Sequence, residues 1–386
     1  MRDVGFIISH KENEKRRALV FDDLKNIKNI DRLYFETGYF KEFNIEDQEI
    51  INLGANVVSR DEILKKDIVC DPKAGDGDYL NLLKPGTSVW GWIHAVQNRD
   101  ITDKFINNQL TAIAFEDMYE GGRHSFWRNN EIAGEAAIMH AYSIYGKLPY
   151  ETKVALLGRG NTARGALTTL ISLGAKVEVY TKKMEDMLRE RLNEYDVIIN
   201  CVLWDTKRTD HILSRKDIRN MKKDSMIIDI SCDKAGGIET SIPTTIDNPV
   251  YYDERVLHYV VDHTPSILFK TSSNAISKEV VKYIDMLIEG KKYAPKHLGR
   301  VLVLGLGKSG HAALDYLLPL LGMRVDALAV AAGGDTPAAR ADAERAKAAG
   351  AAVEFGNDAV APLVQAVGGS FDLCIASPGI PEISSF

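Results

Sequence analysis

What these 386 residues lack excludes several kinds of protein before any motif is considered. Cysteine is scarce: Cys70, Cys201, Cys232 and Cys374 are scattered, and no two share a CxxC spacing. Neither a disulfide framework nor a zinc site is expected, no metal is assigned, and free thiols suit a reducing cytosol. Long apolar runs are absent too. None reaches the length that crosses a bilayer, and the opening MRDVGFIISH reads as a strand rather than a leader, so a cytoplasmic protein without a membrane partner is expected. An excess of one charge is also missing. The chain carries 48 basic and 54 acidic residues, well mixed, for a formal charge of −6, which leaves no basic footprint for nucleic acid.

What is present is alternation. Short apolar runs recur between helical patterns at Val4 to Ser9, Tyr34 to Phe40, DIVCDP (67–72), SVWGWIH (88–94) and TAIAFED (111–117). Helices are expected near Phe21 to Ile27, Asp47 to Leu53, Ile101 to Asn108 and Asn130 to Ser143. Such a pattern reads as an α/β protein with parallel strands. Arg16, Lys73 and His94 fall at or just beyond three of these strands. Ligands of open α/β sheets collect outside the carboxyl ends of the strands, so the three can converge on an anionic small molecule. Each has a plainer reading, as surface charges for Arg16 and Lys73 and as a buried structural histidine for His94.

The chain is organised around Lys153 to Lys183, KVALLGRGNTARGALTTLISLGAKVEVYTKK. It reads as a strand, a glycine turn, a helix to Leu173 and a second strand from Lys176 to Tyr180, the first half of a dinucleotide-binding unit. Gly158 permits the tight turn, Gly160 lets backbone approach a pyrophosphate, and the small Ala163 permits close packing of helix on strand. Arg159, Asn161 and Thr162 complete the loop. An NAD site expects an acid after the second strand to accept from the ribose, whereas Thr181, Lys182 and Lys183 stand there. A hydroxyl and cations suit a 2′-phosphate, so NADPH is the expected cofactor. The competing reading makes Lys182 and Lys183 the start of a solvated helix. Further strands are expected in EYDVIINCVL (194–203) and MIIDISCDKAGG (226–237), the latter bringing Asp229 and Asp233 near a strand end.

Composition breaks near Pro295. Residues 1–295 contain 17 alanines, and residues 296–386 contain 19. A second strand, turn and helix follow the break in RVLVLGLGKSGHAALDYLL, with Gly305, Gly307, Lys308, Ser309 and Gly310 in the turn.

Residues 1–292 resemble the alanine dehydrogenase and saccharopine dehydrogenase superfamily, and within it the N5-(carboxyethyl)ornithine synthases. The likeness is carried by NEKRRAL (13–19), DPKAG (71–75), WGWIHA (90–95), NNEIAGEAA (129–137), GRGNTA (158–163), IDISCDKAGGIETSIPTT (228–245) and HTPSILFKTSSNAIS (263–277). It implies a two-domain fold with an inserted Rossmann domain. A substrate domain would span 1–128 and 264–292, an NADP-binding domain 129–263, a linker 293–297 and a second Rossmann-like domain 298–386. It implies that Arg16 and Lys73 hold the carboxylate and carbonyl of a keto acid, that His94 is the acid/base, and that Asp233 lies near nicotinamide and substrate, orienting the imidazole or receiving an amine. Family members are oligomeric, so a homo-oligomer is implied. Alanine dehydrogenases commonly carry an aspartate where Thr181 stands, and this departure favours NADPH. The implied reaction condenses pyruvate reductively with the side-chain amine of L-ornithine or L-lysine, with an ammonia-using, alanine-type dehydrogenase as alternative. A hinge near Gly134 and Pro265 is expected to close over the site, and Arg123, Arg128 and Asp117 are candidates for the rest of the amino acid.

The C-terminal segment resembles the N-terminal domain of UDP-N-acetylmuramoyl-L-alanine:D-glutamate ligases, through GLGKSG (305–310), AGGDTP (332–337) and FDLCIASPGIPEISSF (371–386). That likeness implies a UDP moiety on the turn, aided by Asp335. The ATPase and glutamate-binding domains of such ligases have no counterpart in these residues, so ligase activity is not expected. A UDP-muramoyl-peptide sensor, part of a split or truncated ligase, and a passive domain retained for packing are the readings that stay open.

Overall fold

Short strands, buried at the centre and partly exposed at the edges, build the first sheet of the computed structural model, which describes residues 1–386 apart from 97, 206, 291–297, 323, 334–335, 357 and 377–386. Val4–Phe6 (β1), Leu33–Glu36 (β2), Asn56–Val58 (β3), Ile68–Cys70 (β4), Ser88–Gly91 (β5) and Thr111–Ala114 (β6) pair in the order β3-β2-β1-β4-β5-β6. Every pairing is parallel. The crossovers carry short helices, Phe21–Leu24 (α1), Asp47–Asn52 (α2), Arg60–Ile63 (α3) and Arg99–Asn107 (α4). Strand order reverses between β1 and β4, which makes that edge the topological switch point of the first lobe.

A two-stranded antiparallel ribbon, Tyr119–Glu120 (β7) and Arg123–His124 (β8), then leads into the long helix Trp127–Tyr145 (α5). The second lobe is Rossmann-like. Lys153–Leu157 (β9), Asn161–Ser172 (α6), Lys176–Tyr180 (β10), Glu185–Glu190 (α7), Val197–Asn200 (β11), Arg215–Ile218 (α8), Met226–Asp229 (β12), Val250–Asp253 (β13) and Val256–Tyr259 (β14) follow in turn. Their sheet runs β10-β9-β11-β12-β14-β13, parallel except for the β13–β14 hairpin. Ala137, Ile138, Ala141 and Tyr142 of α5 pack into its core beside Val154, Leu156 and Leu170.

Phe269–Ile288 (α9) returns to the first lobe. Ile276, Val280, Ile284 and Ile288 recur at helical spacing and pack with Val4, Phe6, Leu33 and Phe35. The chain divides into two compact units, Met1–Lys291 and Lys292–Phe386. The second is a four-stranded parallel sheet of order β17-β16-β15-β18. Its elements are Gly299–Leu304 (β15), Lys308–Leu317 (α10), Val325–Ala332 (β16), Pro337–Ala348 (α11), Ala352–Phe355 (β17), Val360–Ala366 (α12) and Leu373–Ala376 (β18). Gly305 has φ +83°, and a Cβ on Gly310 would lie 2.0 Å from the Gly305 carbonyl, so this turn needs glycine at both places. Ser309 is exposed. The expected linker 293–297 and Asp335 lie outside the described residues.

The fold therefore has the two-lobe α/β architecture that the sequence resemblance implied, with an additional C-terminal parallel sheet. Three local differences matter. The segment 194–203 is a strand only over Val197–Asn200, and 226–237 only over Met226–Asp229. The second stops because Asp229 turns its carboxylate back onto the amides of Ser231 (3.2 Å) and Cys232 (3.3 Å), bending the chain away from the sheet. The β13–β14 hairpin lies in a stretch to which the sequence assigned no element. Among the described residues, no helix is long and apolar enough to cross a membrane.

Candidate active site

Arg16 follows β1, Lys73 follows β4 and His94 follows β5, so all three expected residues leave the first sheet at or beside its switch point. Two glycines set their spacing. A Cβ on Gly75 would lie 2.0 Å from the Ile93 carbonyl, and one on Gly91 would lie 1.8 Å from that of Asp71. The loops bearing Lys73 and His94 are therefore packed backbone against backbone. His94 has φ +55°, a left-handed conformation that a non-glycine residue holds only when its surroundings enforce it. Glu116 enforces it, accepting from the amides of Ile93 (3.2 and 3.1 Å) and His94 (2.6 Å).

Arg16 is only 3% exposed. Its Nε and Nη2 donate to Glu14 at 2.8 and 2.6 Å, Nη1 reaches Asn129 Oδ1 at 3.4 Å, and the guanidinium lies 5.3 Å from the Trp92 ring centre. Glu14 also accepts from Ser266 Oγ (2.8 Å). Burial opposes its ionisation, but the charge and hydrogen bonds of Arg16 prevail and hold its pKa at about 2. The Nη1–Nη2 edge of Arg16 is the one left for a second carboxylate. Lys73 is buried and pairs with Asp76 at 3.1 Å.

His94 is exposed to solvent, yet the atoms packed around it still desolvate its ring. Burial is the first cause lowering its pKa below 6.5, and the charges of Lys73 and, more weakly, Arg16 add to it, while Glu116 and Asp76 pull the other way. The structure thus brings Arg16, Lys73 and His94 into one electrostatic neighbourhood, with Glu14, Asp76 and Glu116 as partners that sequence reasoning missed. Glu14 stands two residues before Arg16 in NEKRRAL, and that proximity was the available signal.

The glycine turn belongs to the second lobe. Gly158 has φ +109°, Gly160 caps α6, and no atom lies within 4 Å of where a Gly160 Cβ would stand, which leaves the backbone open to a phosphate. Asn161 and Thr162 form the first turn of α6, and Ala163 is buried in the lobe core. The amide of Gly158 donates to the Tyr180 carbonyl (3.0 Å), so the end of β10 abuts the turn. Thr181 then opens a 3-10 turn, Lys182–Met184. Arg159, Lys182 and Lys183 are exposed, and none meets a carboxylate among the described residues.

Asp229 is buried and committed to structure, accepting from Asn200 Nδ2 (2.9 Å) and Ser241 Oγ. Asp233 is half-buried, and its side chain has no hydrogen-bond partner among the described residues. Burial, then the charge of Asp229, raises its pKa to about 6. No hydrogen bond joins it to His94. The role of orienting the imidazole is therefore not seen; the His94 backbone is held by Glu116 instead. Arg128 is occupied by Glu135 (2.7 and 3.1 Å) and Glu131 (2.9 Å), and Arg123 lies over the Trp127 ring at 3.6 Å. Asp117 is exposed. A cavity of about 430 Å³ between α5 and α9 has Trp127, Arg128 and Lys278 in its wall and none of Arg16, Lys73, His94 or Asp233.

Between the lobes, Lys11 Nζ lies 3.0 Å from Asp76 Oδ2 and 2.7 Å from Asp262 Oδ2. Asp262 Oδ1 lies 2.6 Å from His263 Nδ1, and His263 Nε2 lies 2.7 Å from the Glu12 carbonyl. Burial opposes the ionisation of Asp262, but the His263 hydrogen bond and the charges of Lys73 and Lys11 hold its pKa well below the carboxylate range.

Comparisons with known proteins agree with this architecture. The family profile described as alanine dehydrogenase/PNT, N-terminal domain, matches residues 9–126, and the one described as alanine dehydrogenase/PNT, C-terminal domain, matches 161–299. The chain is 32% identical over 313 residues to an N(5)-(carboxyethyl)ornithine synthase of Clostridium botulinum, covering 74% of this chain and 98% of the relative. It is 28% identical over 270 residues to alanine dehydrogenase 1 of Staphylococcus aureus, covering 60% and 72%. A solved L-alanine dehydrogenase superposes with a TM-score of 0.62 at 20% identity over 74% of this chain and 90% of its own.

Proposed function

Because the chain belongs to the alanine dehydrogenase/PNT family, an oxidoreductase family that works with a nicotinamide dinucleotide, we propose that it condenses pyruvate reductively with the side-chain amine of L-ornithine or L-lysine at the expense of NADPH. The observation that carries the reading is the placing of Arg16, Lys73 and His94 in the loops after β1, β4 and β5, at or beside the switch point, with the charges of Lys73 and Arg16 acting on His94. The relatives named as carboxyethylornithine synthases support the choice of an amino acid over ammonia as second substrate.

The second lobe fits the cofactor. Gly158, Gly160 and the first turn of α6 would hold its pyrophosphate, and Thr181, Lys182, Lys183 and Arg159 its 2′-phosphate, since these cations meet no acid among the described residues and no acid directly follows β10. When bound, the dihydronicotinamide supplies the hydride that reduces an imine.

The remaining work belongs to the chain. The Nη1–Nη2 edge of Arg16 grips the keto acid carboxylate, and Lys73 donates to the carbonyl oxygen as negative charge grows on it. A side-chain ammonium, with an ordinary pKa of ~10.4, must lose a proton before it can attack. His94, held neutral near pH 7, accepts that proton and returns it to the carbinolamine hydroxyl, which leaves as water. The sum is one amine, one keto acid, one NADPH and one proton from solvent, giving a secondary amine, NADP⁺ and water.

The test is NADPH oxidation with pyruvate and either ornithine, lysine or ammonium, with mass spectrometry of the product. Consumption that requires a diamino acid is expected; consumption with ammonium alone would make the protein an alanine-type dehydrogenase.

A further inference from the structure

We propose that Asp76 and Asp262 form the subsite for the side-chain ammonium of the second substrate, and that Lys11 occupies that subsite in this structure as an internal stand-in. This rests on the reading above and deepens it by placing the amine.

The geometry carries the argument. Asp76 comes from the loop after β4 and Asp262 from the segment after β14, so carboxylates of two lobes close on one ammonium, at 3.0 and 2.7 Å. The same Oδ2 of Asp76 binds Lys73 at 3.1 Å. The captured ammonium therefore shares a carboxylate oxygen with the group that polarises the ketone. That is where an attacking amine belongs, since reacting atoms must approach to ~3–3.5 Å.

Asp262 is aimed rather than loose. His263, 2% exposed, fixes its other oxygen and is itself anchored on the Glu12 carbonyl, which leaves Oδ2 for the ammonium. The occupant is also replaceable. Lys11 sits on a turn between exposed His10 and exposed Glu12, so its ammonium can return to water, where a charge is stable. Its chemistry matches the proposed substrate: an ammonium on four methylenes is the lysine side chain itself, and ornithine is one methylene shorter. Exchange of one ammonium for another leaves the charge of the subsite unchanged. Burial works against the Lys11 charge, yet Asp262 and Asp76 raise its pKa, so the subsite receives the protonated amine and leaves deprotonation to His94.

A simple strap between lobes makes a different prediction. Removing it would loosen the protein and impair every substrate, whereas removing a competing stand-in improves binding of the amine alone. Steady-state kinetics with NADPH separate the two, varying ornithine or lysine at saturating pyruvate and then pyruvate at saturating diamino acid, with NADPH affinity by fluorescence as the check on folding. Lys11→Met is expected to lower KM for the diamino acid several-fold. Asp262→Asn is expected to raise it roughly ten-fold or more, as loss of a charged hydrogen bond would, with KM for pyruvate unchanged within about two-fold. An amine KM that does not fall in Lys11→Met, or a pyruvate KM that rises in step with the amine KM in Asp262→Asn, overturns the inference. Lys11→Met keeps the Asp262–His263 bond, so it decides the matter even where Asp262→Asn fails to fold. Should the unmodified protein oxidise no NADPH with pyruvate and any diamino acid, the synthase reading itself fails; turnover with unresponsive variants removes the subsite alone.

Discussion

Glu14 shows how much of the site depends on single buried charges. Its carboxylate fixes the Arg16 guanidinium on one edge and leaves the other for a ligand. Its pKa falls from 4.5 in the unfolded chain to about 2 in the folded one, so its contribution is fully present above pH 4.5 and is lost as the pH falls towards 2. For one group this is on the order of 3 kcal/mol. Glu14→Gln should therefore lower the urea midpoint at pH 6 and flatten its fall between pH 4.5 and pH 2; an unchanged acid limb would show that the pair adds nothing. His94→Ala should reduce turnover by ~10²-fold while leaving NADPH affinity nearly intact, measured by initial rates and fluorescence titration. Since His94 must be neutral to act as base and its pKa lies below 6.5, the limb of kcat/KM that it sets should fall at a pH lower than 6.5. Arg16, Lys73 and His94 were visible in the sequence because basic residues after apolar runs are conspicuous. Asp76, Glu116 and Asp262 were not, because an acid's role depends on which loop it meets after folding; Glu14, two residues from Arg16, was the exception.

At the scale of elements, the contact between α5 and α6 governs how the second lobe is joined to the first. A Cβ on Gly134 would lie 2.1 Å from the Thr162 carbonyl, and one on Gly165 would lie 2.0 Å from that of Glu131. Gly134 was expected near a hinge, but it sits inside an unbroken helix and serves close approach instead. Gly134→Ala gains about 1 kcal/mol of helix propensity but presses on backbone that cannot yield, at about 1–3 kcal/mol, so net destabilisation is expected in thermal or denaturant unfolding. The turn after β10 governs cofactor choice. Thr181→Asp with Lys182→Ala should shift preference from NADPH towards NADH in paired kcat/KM measurements; an unmoved ratio would place 2′-phosphate recognition elsewhere. Strands and helices were legible from their periods, while the β13–β14 hairpin and the loop holding left-handed Cys232 and Ala235 were not. The loop follows from side-chain bonds, such as Asp229 onto the amides of Ser231 and Cys232, that no periodicity encodes, and the hairpin turns on Glu254 and Arg255, which are left-handed without being glycine.

At the scale of the whole molecule, every residue assigned to the chemistry lies within the unit Met1–Lys291, and the family profiles stop at residue 299. A chain stopped at Lys291 should therefore retain diamino-acid-dependent NADPH oxidation, and loss of that activity in a folded protein would assign the C-terminal unit a part in it. The ligase-type reading of residues 298–386 stands on its motifs alone. Local chemistry of the chain was enough to specify the α/β class, the glycine turn at Gly158–Gly160 and the cations beyond β10, because period, turn residues and charge are properties of neighbours along the backbone. Folding added the partners: Glu14 against Arg16, Glu116 beneath His94, and Asp76 with Asp262 around Lys11. Those pairings join residues up to 251 positions apart, and a buried charge finds its counter-charge only when the loops that carry them are brought together.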